Sequence, residues 1–370
     1  MPGLEVLREA ERQMVICNAC RYCEGFCAVF PAMERRRVFT AADVTYLANL
    51  CFDCRACYYA CQYAPPHEFA INVPQILSAL RTETYRDYTW PGIFGRFYRQ
   101  SARSGLVVSL IAIAIVFLLT LAWQGPEVLF SIHRGEGAFY RVVPYLAMVL
   151  PALAITLYGV GALAVGTVRF WRDTRGSLRQ VISPSAFWKA VEDAFSLRYL
   201  DGGGDGCNYP DERFSQSRRW HHHLVFYGFL LAFASTTTAA IYDHFLHWQA
   251  PYPFFSVPVL LGTSGGIMMV IGTTGLLWLK AKADRAPAER RMLGMDVAFL
   301  VILNLTNVTG LALLAFRETA AMGTLLTIHL GFVAAFFVTA PYGKFAHVWY
   351  RYAALVRNAI ERDRPAVGGH

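Results

Sequence analysis

The chain has 370 residues, of which 55% are hydrophobic and 16% are charged. This composition excludes an ordinary soluble protein. The chain also contains 14% aromatic residues and lacks the sequence repeats of collagen and coiled coils, so disordered, collagen-like and coiled-coil chains are excluded as well. The net charge is +8. We interpret the excess of basic residues mainly as a signal of membrane topology, so no nucleic-acid partner is expected.

Eight of the nine cysteines lie within the first 61 residues, in two runs with the same spacing, C-x2-C-x2-C-x3-C. The runs are Cys17, Cys20, Cys23 and Cys27, then Cys51, Cys54, Cys57 and Cys61. Three thiolates at three-residue steps surround one face of a cubane cluster, and the fourth is placed to reach the other cluster of a pair. The spacing therefore predicts two [4Fe–4S] clusters. Pro31 and Pro65 lie four residues after each run, which departs from the ferredoxin consensus but supports an internal repeat.

Zinc is the main alternative to iron and sulfur. A zinc site takes four thiolates around one ion, commonly from two C-x2-C pairs separated by a longer span. Four cysteines within 11 residues, twice over, fit that pattern poorly, and a reducing cytoplasm disfavours disulfides. Iron and sulfur remain the preferred interpretation, and the lone Cys207 is interpreted as incidental.

Six stretches after the cysteine runs are apolar enough to cross a hydrocarbon core of about 30 Å, which needs roughly 20 helical residues. They cover approximately 105–123, 144–167, 222–242, 256–279, 296–316 and 321–343. We therefore predict an all-α fold with a ferredoxin-like two-cluster helical domain followed by a six-helix transmembrane bundle. The predicted domains are a cytoplasmic cluster domain (1–104), a haem b domain (105–350, with a cytoplasmic loop at 168–221) and a cytoplasmic tail (351–370).

The basic residues predict the orientation of these helices, because Lys and Arg accumulate on the cytoplasmic side of a membrane. Of the 34 Lys and Arg residues, only Arg134, Arg141 and Arg317 lie on the side opposite the termini. The first 15 residues are charged and lack the apolar core of a signal peptide. We expect a multi-pass protein of the bacterial inner membrane, in contact with the lipid bilayer and with both termini in the cytoplasm.

Histidines at membrane depth suggest haem ligands, since ionisable side chains there are costly. His329 and His347 are 18 residues apart on the sixth predicted helix, which is five full turns, so they would share one face about 27 Å apart. The third helix has His222 and His223 at its cytoplasmic edge and His244 at its outer edge. We predict two b-type haems, one held by His222 or His223 with His347 and one held by His244 with His329.

A simpler interpretation of these histidines stays open. The triple histidine at 221–223 follows Arg218, Arg219 and Trp220, a combination that also suits an anchor at the membrane surface. His244 and His247 would in that case lie among the lipid headgroups. Of the five predicted ligands, His329 is the one placed well inside a helix.

The chain resembles the tricarballylate utilisation protein B family, also called citrate utilisation protein B. The resemblance rests on the two cysteine runs, on the segment Cys57–Asn72 and on the stretch His222–Phe229, and it covers nearly the whole chain. It implies that a cytoplasmic flavoprotein dehydrogenase oxidises a tricarboxylate such as tricarballylate. This chain would then reoxidise the flavin and deliver electrons through clusters and haems to membrane quinone.

The residues alone lead to the same outline without the substrate. The sequence has no G-x-G-x-x-G fingerprint for a flavin or nicotinamide, so it needs a separate donor protein and serves as the electron-transfer partner of an oxidoreductase. A redox-regulated transporter or sensor is the alternative. The centres of the six helices contain essentially no acids or lysines, which disfavours transport.

Overall fold

The computed structural model describes residues 3–97, 101–176 and 183–363. Within these ranges the protein is mostly helical, with two strands of two residues each, and six helices are long and apolar enough to cross a membrane. The predicted all-α fold with six membrane helices is confirmed. Short parts of the predicted domains, at 1–2, 98–100, 177–182 and 364–370, lie outside the described residues.

Six helices form the amino-terminal part of the protein. They are α1 (Leu4–Cys20), α2 (Val29–Glu34), α3 (Ala41–Leu50), α4 (Ala56–Tyr59), α5 (Val73–Tyr88) and α6 (Gly92–Phe97). Their apolar faces meet in a core in which Met14, Phe30, Leu47 and Leu77 are at most 2% exposed. Burial of these side chains supplies the main driving force for packing the short helices together. Each cysteine run therefore starts at a helix end and continues into a loop fixed by this core.

The six membrane-capable helices are α7 (Ser101–Leu129), α9 (Tyr145–Asp173), α11 (Ser217–Leu246), α12 (Val257–Lys282), α13 (Arg290–Phe316) and α14 (Met322–Thr339). The short helix α8 (Ala138–Val142) lies between α7 and α9. Helix α11 packs along α12, α12 packs on α13, and α14 packs against α13, α7 and α9. Gly125, with φ of 80°, and Pro126 interrupt α7 near its end, as proline does by removing a helical hydrogen bond.

Helices α11 and α12 approach so closely that only glycine fits at their contact. A Cβ atom on Gly265 would lie 2.6 Å from the carbonyl oxygen of Gly228, and one on Gly272 would lie 2.7 Å from the carbonyl oxygen of His221. Close approach through small residues is a common means of helix association in membranes. These glycines fix the position of α11, which carries His222.

The expectation that one straight helix carries both His329 and His347 is wrong. Helix α14 ends at Thr339, a 3₁₀ turn covers Lys344–Ala346, and a new helix, α15 (His347–Arg362), begins at His347. Pro341 lacks the backbone N–H that would continue the helix. Gly343 adopts an extended conformation with φ of −104° and ψ of −161°. His347 therefore stands at the start of a separate helix.

The cysteine-rich amino-terminal part docks on one end of the membrane bundle. Arg55 donates a hydrogen bond to the carbonyl oxygen of Asp284 at 3.0 Å, in the loop between α12 and α13. Arg36 pairs with Glu361 of α15 at 2.6 Å, and Arg291 of α13 pairs with Glu83 at 2.9 Å. Helix α15 also packs against α3, α9 and α10 (Pro184–Phe195). A small antiparallel hairpin is formed by β1 (Cys207–Asn208) and β2 (Phe214–Ser215).

Candidate redox centres

The structure gathers Cys17, Cys20, Cys23 and Cys61 into one group, named here the first quartet. Its members line a cavity of about 220 Å³, which Cys57 also borders. Burial, with smaller contributions from neighbouring thiols of the quartet, raises the pKa of Cys17 and of Cys23 to about 12. Cys20 is exposed and the other three are partly exposed, so this quartet lies near the surface.

Cys27, Cys51, Cys54 and Cys57 form the second quartet. Burial raises the pKa of Cys27 to about 12, and the Cys51 thiol is the next largest cause. Burial also holds the pKa of Cys54 well above its usual value, with Cys27 as the next cause. Cys51 and Cys54 are buried, so the second quartet lies deeper than the first.

Each quartet combines three cysteines of one run with the fourth cysteine of the other. Cys61 joins the first quartet and Cys27 joins the second, the exchange that the spacing predicts for a pair of clusters. A zinc site would need four sulfurs about 2.3 Å from one ion. In the described ranges no three His, Cys, Asp or Glu side chains converge closely enough to hold a single metal ion. The thiols of the first quartet instead line a cavity, and a polynuclear cluster fits that arrangement better than one ion does.

Three arginines from three different helices bind the loop that carries Cys51 and Cys54. Arg81 of α5 donates to the carbonyl oxygens of Ala48 and Cys51, both at 2.8 Å. Arg351 of α15 donates to the same Cys51 oxygen at 2.8 Å. Arg218 of α11 donates to the carbonyl oxygen of Asp53 and to that of Phe52, the latter at 3.3 Å.

The guanidinium groups of these arginines bind neutral carbonyl oxygens, whereas buried cations usually pair with carboxylates. Burial lowers the pKa of Arg351 to about 10, and the nearby charges of Arg81 and Arg218 also lower it. Asp53 offsets only part of their charge, and a buried cation without a matching anion is unfavourable by about several kcal/mol. A cluster held by four thiolates is anionic and would supply the missing charge. The donor set and its surroundings therefore both fit an iron–sulfur cluster in the second quartet.

His222 and His347 lie near each other at the cluster end of the bundle. Burial lowers the pKa of His347 well below its usual value, and Lys344, Arg351 and His222 lower it further. Nδ1 of His347 lies 2.5 Å from the carbonyl oxygen of Lys344, which only accepts, so Nδ1 carries the proton and Nε2 keeps its lone pair. Metal-bound histidines typically show this arrangement. Nδ1 of His222 is buried without a hydrogen-bond partner in the described structure.

Of the two alternatives for the cytoplasmic site, the structure favours His222 over His223. The His223 ring contacts Trp220 and Tyr227 and faces the carboxyl end of α10. His222, and not His223, is among the groups that lower the pKa of His347. His221 donates from Nδ1 to the carbonyl oxygen of Ser217 at 2.7 Å and packs on Gly275 of α12, so it serves the helix contact.

His329 has the same hydrogen-bond pattern as His347, in the interior of the bundle. Its Nδ1 lies 3.1 Å from the carbonyl oxygen of Thr306 on α13, which leaves Nε2 unprotonated. His244 lies near the far end of α11, where both ring nitrogens are within 3.2 Å of the Tyr145 hydroxyl and the side chain is 54% exposed. No contact in the described part of the chain joins His244 to His329, so that pairing stays a prediction.

A cluster of aromatic rings separates the two histidine levels. Phe229 follows His222 by seven residues and Phe336 follows His329 by seven, and each ring shares a helix face with its histidine. The centroids of the two rings are 5.9 Å apart, and Phe345 lies 5.7 Å from Phe229. The cavity beside this cluster is about 10 Å³, so aromatic side chains fill the bundle at this depth.

Sequence reasoning missed the three arginines and the position of Cys207. Cys207 is fully buried in β1, next to Cys54, and burial raises its pKa to about 11. Two of the arginines could have been found from their spacing to the histidines. Arg218 precedes His222 by four residues and Arg351 follows His347 by four, which places each pair on one helix face. Nothing local in the sequence marks Arg81 or Cys207.

Comparison with known proteins covers nearly the whole chain. The family described as Citrate utilization protein B matches residues 99–368, and the one described as Citrate utilization protein B Fer4-like domain matches residues 10–88. The chain is 47% identical over 363 residues to the protein named Citrate utilization protein B of Escherichia coli, covering 98% of this chain and 94% of that protein. No solved structure matches.

The family regions coincide with the parts of the structure. The Fer4-like region spans both quartets, and the longer region spans the six membrane-capable helices, which indicate a multi-pass membrane protein. The resemblance noted from the cysteine runs and the third-helix stretch is thereby confirmed. This chain belongs to the citrate utilisation protein B family.

Proposed function

We propose that this protein carries electrons from a cytoplasmic flavoprotein dehydrogenase to membrane quinone. The dehydrogenase would oxidise a tricarboxylate, in keeping with citrate utilisation in the name of the relative. The observation that carries the proposal is the exchange of Cys27 and Cys61 between the quartets, because two adjacent polynuclear sites serve electron transfer between them.

The chain's residues fit two kinds of redox group. The first and second quartets would each hold a [4Fe–4S] cluster. His222 and His347 would hold a b haem at the cluster end, and His329, with His244 as the predicted partner, would hold a second b haem deeper in the bundle. When bound, these groups supply one-electron carriers, while the protein orients them and sets their surroundings.

Exposure and depth suggest the order of the centres. Cys20 is exposed and Tyr22 beside it is 70% exposed, so the first quartet faces the solvent where a donor protein would dock. The loop of the second quartet binds Arg218, which lies one turn before His222, and Arg351, which lies one turn after His347. His329 lies further along the bundle. This order runs from the cytoplasm into the membrane, with both termini and the dehydrogenase on the cytoplasmic side of a bacterial inner membrane.

A transporter remains the less favoured function. Asp296 pairs with Lys280 at 2.5 Å and with Lys344 at 2.7 Å, near the ends of α12, α13 and α14 that face the cluster domain. Charged groups of a transport pathway are instead expected near the membrane midplane.

The test is electron delivery by the purified protein. A reduced flavoprotein donor and a water-soluble quinone are mixed with the anaerobically prepared protein, and quinone reduction is followed optically. We expect Cys20→Ser and Cys54→Ser to abolish quinone reduction, because each removes a quartet ligand. Cys207→Ser is the matched control, since it changes a buried cysteine outside the quartets. Normal quinone reduction by the Cys20 and Cys54 variants would overturn the proposal.

A further inference from the structure

The second quartet lies in a positively charged environment. Arg55 and Arg81 are 3% and 1% exposed, and Arg218 and Arg351 are partly buried. The carboxylate of Asp53 lies 3.9 Å from Arg55 and, together with that of Asp296 near Arg218, offsets part of this charge. Arg81, Arg218 and Arg351 bind carbonyl oxygens and a serine hydroxyl, which leaves their charges in place.

The first quartet has a different environment. Its cavity is lined, apart from cysteines, by apolar and uncharged polar residues of the described chain. They are Ile16, Tyr22, Phe30, Ala60, Gln62, Tyr63, Ile71 and Val73. Net charge near an iron–sulfur cluster and solvent exposure both tune its reduction potential. The two quartets are therefore electrostatically unequal although their cysteine spacing is the same.

Two of these arginines also tie the loop to the histidine pair. Arg218 and His222 are one turn apart on α11, and His347 and Arg351 are one turn apart on α15. Both arginines bind the segment 51–53, and the Arg351 guanidinium lies 4.1 Å from the centroid of the Phe52 ring. The histidines and the second quartet are thus joined through two side chains that each carry a positive charge.

We propose that Arg81, Arg218 and Arg351 act as positioning residues that raise the reduction potential of the cluster in the second quartet above that of the first. The inference rests on the proposed function, because it assumes that both quartets hold clusters. A positive charge favours the more reduced and hence more negative form of a nearby cluster. The charges therefore make the deeper quartet the better acceptor and direct electrons toward His222 and His347.

The test is a redox titration of the full-length protein in detergent, followed by electron paramagnetic resonance. Wild type is compared with Arg351→Gln and Arg218→Gln, which remove the charge, and with Arg351→Lys and Arg218→Lys, which keep it. Arg219→Gln is the matched control, because Arg219 neighbours Arg218 but binds Asp201 at 3.1 Å and Ser196 at 2.9 Å.

We expect the glutamine variants to lower the midpoint potential of one cluster signal and to leave the other unchanged, while the lysine variants stay near wild type. Loss of the second cluster in the glutamine variants but not in the lysine variants also supports the charge effect. An unchanged potential with both clusters present, an equal shift in Arg219→Gln, or cluster loss in glutamine and lysine variants alike would overturn the inference. Absence of clusters from the wild type would instead refute the proposed function.

Discussion

Arg351 donates a hydrogen bond to the carbonyl oxygen of Cys51 at 2.8 Å, although 300 residues separate them in the chain. This contact joins the first residue of the second cysteine run to the helix that begins at His347. It shows that the cysteine-rich domain and the carboxyl-terminal helix form one structure at the end of the membrane bundle.

The exchange of the fourth cysteines predicts which substitutions damage the same cluster. Cys61→Ser should remove or alter the same paramagnetic signal as Cys17→Ser, because both change the first quartet. Cys27→Ser should resemble Cys51→Ser in the same way. Spectra of the four variants, reduced anaerobically, check this prediction. If Cys61→Ser resembled Cys51→Ser instead, each run would hold its own cluster and the exchange would be wrong.

The position of His347 predicts a loss of haem at the cluster end. His347→Ala should reduce the haem content, measured as the pyridine haemochrome, to about half of the wild-type value if two haems are bound. His222→Ala should lower it by the same amount, while His223→Ala should leave it near wild type because that ring faces α10. A larger loss in His223→Ala than in His222→Ala would contradict the assignment.

His329 supports a separate prediction for the deeper site. His329→Ala should remove one haem and leave both cluster signals intact, because His329 bonds Thr306 of α13 within the membrane bundle and contacts neither quartet in the described residues. His244→Ala should remove the same haem if the predicted pairing is right. His133→Ala is a control, since that ring bonds the carbonyl oxygen of Val128 outside both sites. Unchanged haem in His329→Ala would remove this residue from the ligand set.

The glycine contact between α11 and α12 predicts a packing defect. Gly265→Ala places a methyl group 2.6 Å from a backbone oxygen, and overpacking of this kind typically costs about 1–3 kcal/mol. We expect a lower thermal unfolding temperature in detergent and weaker haem retention. Gly161→Ala on α9 is the control, since nothing lies within 4 Å of the added atom. Equal stability of the two variants would show that the contact is not close.

Periodicity and spacing predicted much of this molecule because they depend on neighbouring residues. Long apolar stretches predicted the six helices, and three-residue steps between cysteines predicted the two sets of four thiols. The break at Pro341 was missed because the apolar stretch runs past it, and His347 was therefore placed on the wrong helix. Arg81 and Arg351 approach Cys51 from distant parts of the chain, and no local pattern records such a contact.

The choice between His222 and His223 also depends on long-range packing that the sequence alone does not record. Both follow Arg218 at the start of α11, and their neighbours in sequence do not distinguish them. Only the packing of α11 between α12 and the loop 51–53 turns His222 toward α15 and His223 toward α10. Side-chain direction on a helix becomes decisive once the surrounding helices are in place.

The most direct test of the central claim is a quantitative analysis of metal and sulfide in anaerobically purified wild-type protein. Two [4Fe–4S] clusters require about eight non-haem irons and about eight acid-labile sulfides per chain. We expect those amounts, and we expect both to fall by about half in Cys61→Ser. Zinc in place of iron, or iron without labile sulfide, would contradict the assignment of the two quartets.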